Sequence, residues 1–112
     1  KCISVLKGFR TILSDKSGKT FINGSGNEGM ATGGMGDALT GIIASFIGQG
    51  YSSIDSAILG VFLHGKAGDT IGSKISKRGI LASQIIKELP NTILSLEKNS
   101  HSPNPIYKIE NE

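Results

Sequence analysis

Tryptophan is absent from this chain, cysteine occurs once, proline three times, and no apolar run is long. Each shortage excludes something. A lone thiol, Cys2, cannot close an internal disulfide or build a cysteine metal site, which fits a reducing compartment and a cytoplasmic location. The longest strongly apolar stretch, Ala57 to Leu63, is far shorter than the ~20 residues that cross a bilayer, so a membrane-spanning helix is not expected. Positive charge is modest and scattered: 12 Lys and Arg against 9 Asp and Glu give +3, with no basic cluster. Two tyrosines and four phenylalanines do not interleave with those basic residues, so a nucleic-acid surface is not expected. Few prolines and no Gly-X-Y period exclude collagen and argue against a flexible linker.

Glycine is what the chain has in excess, 16 of 112 residues, about twice the usual ~7%. Six of the 16 fall between Gly24 and Gly36, where the chain reads Asn23-Gly-Ser-Gly-Asn-Glu-Gly-Met-Ala-Thr-Gly-Gly-Met-Gly-Asp37. Glycines let a backbone adopt positive φ and approach a ligand with no Cβ in the way. Apolar residues then recur at Leu39, Ile42, Ile43, Phe46 and Ile47, the spacing of one helical face. A helix opening at such a loop offers free N–H groups and the positive end of its dipole to a phosphoryl group or an oxyanion. The motif ends in an acid, not in the Gly-Lys-Ser/Thr of a P-loop, and Gly24-x-Gly26-x-x-Gly29 only weakly matches the dinucleotide pattern.

Asp37 has two readings at that helix start. It can cap free N–H groups, or it can serve as a base for a substrate hydroxyl while the backbone N–H groups of Gly34, Met35 and Gly36 hold developing negative charge. Lys7 likewise is either a surface lysine or a point charge against a nucleotide. His64 reads as a hydrogen-bonded core residue, Asp69 as a structural or capping acid, and Arg78 as part of a solvated face.

In chain order, Ile3 to Leu6 and Arg10 to Ser14 read as strands, and Asp15-Lys-Ser-Gly18 as a type I turn into a partner strand at Lys19 to Ile22. A helix from Asp37 stops at Gly48-Gln-Gly50. A second starts at Ser53 or Asp55 and is buried on more than one side. A third, Ile80 to Leu89, halts before Pro90, with a short fourth around Ile93 to Leu96. Residues 98–112 are expected to form a mobile polar tail. The first residues already sit inside a strand-like run, and so few strands and helices are meagre for an independent α/β core. The expectation is a fragment whose strands complete a sheet begun by an N-terminal segment or another chain.

Four separated motifs carry a resemblance: Lys7-Gly-Phe-Arg-Thr11, Asn23 to Gly41, Gly60-Val-Phe-Leu-His-Gly-Lys-Ala-Gly-Asp69, and Leu81-Ala-Ser with Leu89-Pro90. In this order they resemble the C-terminal part of the ADP/ATP-dependent NAD(P)H-hydrate dehydratases, the YjeF C-terminal or carbohydrate kinase-related family. The resemblance covers Val5 to Pro90. It implies an α/β, three-layer ribokinase-like fold, of which residues 1–97 form the C-terminal part. The implied activity is repair of hydrated NADH and NADPH, by phosphorylation of the ring hydroxyl from ADP or ATP and elimination of phosphate, with Mg2+ accompanying the nucleotide. By motif, Lys7, Gly8, Phe9, Arg10, Thr11, Asn27, Gly33 and Gly36 would serve the adenine nucleotide. Asp37 would meet the hydrated nicotinamide, with Gly34, Met35 and Gly36 beside it. A homo-oligomer is expected. Gln84 stands where the family usually has an aspartate. Two alternatives remain: a ribokinase-like kinase of a small vitamin precursor, and a non-catalytic fragment or oligomerisation module.

Overall fold

The structure is a computed structural model that describes residues 2–8 and 10–99, together with the backbone of 106–109. Three short strands, β1 (Ser4–Leu6), β2 (Ile12–Ser14) and β3 (Thr20–Asn23), come first, then a 3-10 turn at Glu28–Met30. Three helices follow, α1 (Met35–Gly48), α2 (Ser53–Lys74) and α3 (Ala82–Lys98), and a last strand, β4 (Ile106–Ile109). The sheet is an antiparallel meander in the order β1-β2-β3-β4.

The β2–β3 hairpin closes as its turn residues dictate. Asp15 Oδ1 accepts from the Ser17 N–H at 2.9 Å, the Ser17 hydroxyl at 2.7 Å and the Lys19 N–H at 3.0 Å. Gly18 adopts φ +88°, the left-handed conformation that favours glycine. The Ser17 hydroxyl and the two backbone N–H groups hold the Asp15 carboxyl below its ordinary range. Register then puts Val5, Leu13 and Phe21 in one cross-strand row. Because side chains alternate between faces, this row turns to the helices, and Leu13 is wholly buried against Leu39, Ala57 and Val61. The neighbouring row, Leu6, Ile12 and Ile22, faces the other way, with Leu6 68% exposed. Among the described residues helices cover only one side of the sheet.

α2 is the spine. Its first half joins the sheet-side core through Ala57 and Val61, and its second half a second cluster with Met35, Ile80 and Ile85 through Ala67 and Ile71. Burial of Ala57, Gly60, Val61, Phe62, Leu63, Gly65, Ala67 and Gly68 matches the nearly all-round apolar pattern. Ser52 caps it by accepting from the Asp55 N–H at 3.2 Å.

Three expectations need correcting. α1 begins at Met35, and its N-cap is Gly34 at φ +86°; Asp37 is the third helical residue and caps nothing. A positive φ at the cap strains any residue with a Cβ, so glycine takes the position from the acid. α3 does not halt at Pro90 but runs through it to Lys98, absorbing the expected fourth helix. Pro90 withdraws one N–H and frees the Ile86 carbonyl, yet both residues are exposed and water can serve that group. Beyond the break, buried Thr92 and half-buried Leu96 keep the helix docked. Finally, 106–109 form a strand that pairs with β3, Ile22 opposite Tyr107, where sequence placed no regular structure. The rest of the expected tail, 100–105 and 110–112, lies outside the described residues.

Candidate functional site

A cavity of about 570 Å³ opens where the two core clusters meet. Lys7, Gly8 and Thr11 line one side, Gly26, Asn27, Met30, Met35 and Gly36 another, and His64 and Gly65 of α2 the floor. The glycine loop is therefore folded over α2 and faces the β1–β2 connection.

Lys7 comes from the end of β1. Its ammonium lies against Gly36, in the space a Cβ there would take. No side chain caps α1, so a cation and the positive end of a helix dipole meet at one point. Two like-signed features held together favour an anion between them, and among the described residues Lys7 pairs with no carboxylate. Asp37 is exposed in the same first turn, and its carboxylate makes no hydrogen bond or ion pair with described residues. A carboxylate with no structural duty beside an anion site is free for a reacting hydroxyl.

Sequence-expected residues divide as follows. Lys7, Gly8, Thr11, Asn27, Met35 and Gly36 share the cavity wall. Gly33 and Gly34, just before the helix start, and Asp37, in its first turn, lie outside that lining, as does exposed Arg10. Phe9 lies outside the described residues. Asn27 spends its amide within the loop: Nδ2 donates to Asp69 Oδ1 at 3.0 Å and Oδ1 accepts the Gly29 N–H at 2.9 Å. Gln84 Oε1 accepts the Leu81 N–H at 2.8 Å, closing the start of α3.

Sequence reasoning missed the anchors beneath the loop. Asn23 Nδ2 donates to the Ser25 carbonyl at 3.1 Å, and the Ser25 hydroxyl donates to the Phe62 carbonyl at 3.0 Å. Both side chains are buried. The signal available was Gly65, Gly68 and Gly72, which recur on one face of α2 with no apolar residue to explain them. His64 also differs from expectation. Its Nε2 is buried with no partner among the described residues, and it lines the cavity. Burial pushes its pKa below the ordinary imidazole value; a backbone contact with Met35 opposes this and the Lys7 charge adds to it.

Comparison with known proteins decides the family. The family model described as NAD(P)H-hydrate dehydratase matches residues 1–91. This chain belongs to the NAD(P)H-hydrate dehydratase family. It is 42% identical over 98 residues to the Bifunctional NAD(P)H-hydrate repair enzyme Nnr of Moorella thermoacetica, covering 88% of this chain and 18% of that protein. It is 42% identical over 82 residues to the ADP-dependent (S)-NAD(P)H-hydrate dehydratase of Neisseria meningitidis, covering 72% of this chain and 28% of that one. Among solved structures, the ADP/ATP-dependent NAD(P)H-hydrate dehydratase of Bacillus subtilis, co-crystallised with ATP/Mg2+, superposes with a TM-score of 0.80 at 29% identity. That match covers 83% of this chain and 34% of the other. The α/β class read from sequence is the observed one. The chain thus spans about a fifth of the bifunctional dehydratase-family relatives and about a third of the shorter ones. Among the described residues no helix is long and apolar enough to cross a membrane.

Proposed function

We propose that this chain supplies the nucleotide-holding, base-bearing wall of a dehydratase that repairs hydrated NADH and NADPH at the expense of ADP or ATP. The observation that carries the reading is the Lys7 ammonium against Gly36 at the uncapped start of α1, with unpaired Asp37 in the same turn.

Lys7, Gly8, Thr11 and Gly36, with Phe9 and Arg10 by motif, hold the adenine nucleotide, and Gly33 lets the loop approach it. Asp37 orients the hydroxyl of the hydrated nicotinamide ring and takes its proton as that oxygen bonds to phosphorus. The nucleotide leaves one phosphoryl group shorter, and elimination of phosphate from the ring restores the normal cofactor. The N–H groups of Gly34 and Gly36 steady the charge that develops, while the Met35 N–H, placed between them, donates to the Thr32 carbonyl at 3.4 Å, so catalysis rests on positioning and electrostatics. Magnesium arrives with the phosphates. The Lys7 ammonium, Thr11 and the glycine backbone that line the cavity suit phosphate oxygens. The outward row Leu6, Ile12 and Ile22 is the face that the remainder of the domain, or another copy in a homo-oligomer, covers. The lone exposed Cys2 fits a cytoplasmic location.

Calorimetric titration with ADP and with ATP tests the reading. Saturable binding that weakens about tenfold in Lys7→Ala, a loss of about 1.4 kcal/mol, is the expected result. Equal binding in the variant would remove Lys7 from the site, and absence of binding in the parent protein would remove the nucleotide.

A further inference from the structure

We infer that Asp69 is a positioning residue: through Asn27 it fixes the height of the glycine loop over α2, and so the shape of the wall that the nucleotide meets. The inference rests on the nucleotide reading above.

Asp69 projects from α2 and does not line the cavity. Its two carboxylate oxygens each take one loop donor, Oδ2 the Gly26 N–H at 2.9 Å and Oδ1 the Asn27 Nδ2 at 3.0 Å. Asn27 passes the constraint on, since its Oδ1 accepts the Gly29 N–H at 2.9 Å and caps the 3-10 turn. One half-buried acid thereby sets two loop amides and one side-chain amide. Bonds with an ionised acceptor are roughly twice as strong as neutral ones.

The helix face around Asp69 is stripped of side chains. A Cβ at Gly65 would collide with Ser25 and with the Gly26 amide, and one at Gly68 with the Met30 side chain. At Gly72 it would press on Asn27 Nδ2 at 3.4 Å and on Lys77 at 3.1 Å. The loop backbone can therefore lie directly on α2, and Asp69 reaches it from between the glycines. Gly26, Asn27 and Met30, the residues it and its neighbours seat, do line the cavity. A displacement of ~1 Å in such a wall can cost about 100-fold in rate.

The bonds have a direction, and that direction supplies the test. Asp69→Asn keeps an oxygen for the Gly26 N–H but turns an amide toward the Asn27 amide, donor against donor. Adding Asn27→Asp exchanges the two roles: the new carboxylate accepts from position 69 and still accepts the Gly29 N–H. The experiment measures ADP affinity by calorimetry, and hydrogen exchange at the Gly26 and Gly29 amides, in the protein that carries this chain. Asp69→Asn should weaken ADP binding about tenfold and speed exchange at both amides, and the double variant should restore both readouts to within about threefold. An unchanged single variant, or a folded double variant with no recovery, overturns the inference. If the parent protein binds no ADP, the nucleotide reading fails, while exchange at Gly26 and Gly29 still decides whether the clamp exists.

Discussion

The ammonium of Lys7 occupies the place where a Cβ of residue 36 would stand. Two distant stretches of sequence, the end of β1 and the start of α1, are thus joined at a helix start that no side chain caps.

Gly36→Ala follows from that contact. The atom displaced is the far end of a flexible lysine, so the fold should hold, with the melting temperature within a few degrees of the parent. ADP affinity should nevertheless fall about tenfold, because the charge leaves the helix end. Titration together with a thermal melt separates the two effects. Equal affinity would mean that the Lys7–Gly36 contact has no part in binding.

Glycines elsewhere on the helices should behave in opposite ways. Gly65→Ala drives a methyl into the backbone of Ser25 and Gly26, and overpacking of this kind costs about 1–3 kcal/mol. Gly41, exposed in the middle of α1 with open space at its Cβ position, should gain up to about 1 kcal/mol on replacement by alanine. Urea unfolding of the two variants checks both signs.

His64 gives a pH dependence. Its pKa is lower folded than unfolded, so below the ordinary value of 6.5 the unfolded chain takes up a proton that the folded chain resists. Stability is then full above that pH and declines as the pH falls below it. Melts at pH 7.5, 6.5 and 5.5 should show this decline in the parent protein and a flatter profile in His64→Gln. The Lys7 charge also lowers the His64 pKa, so Lys7→Met should flatten the profile in part.

Much of this was legible because local chemistry and fold agree. The Asp15 to Gly18 turn, the alternation of Val5, Leu13 and Phe21, and the periodicity after Gly36 each specify their own element, and four ordered motifs specified the family. What was not legible depended on partners distant in sequence. Pro90 reads as a stop until Thr92 and Leu96 are seen docked beyond it. A cap stays one of the two readings of Asp37 until Gly34 is seen to take that position with a positive φ. Asp69 and Asn27, 42 residues apart, look like two unrelated polar residues until their side chains meet. The glycines of α2 stand in the sequence at Gly65, Gly68 and Gly72, but the loop that lies on them is seen only in the fold.

The central claim is that Asp37 works on the hydroxyl while Lys7 and Gly36 hold the nucleotide, and one substitution tests both halves. Asp37→Asn removes a carboxylate that bonds to nothing among the described residues, so folding should be unaffected. In the protein that carries this chain, the turnover of hydrated NADH with ADP should fall at least about 100-fold, the range expected for a lost general base. ADP binding should stay within about threefold of the parent. Full turnover in the variant would contradict the role assigned to Asp37.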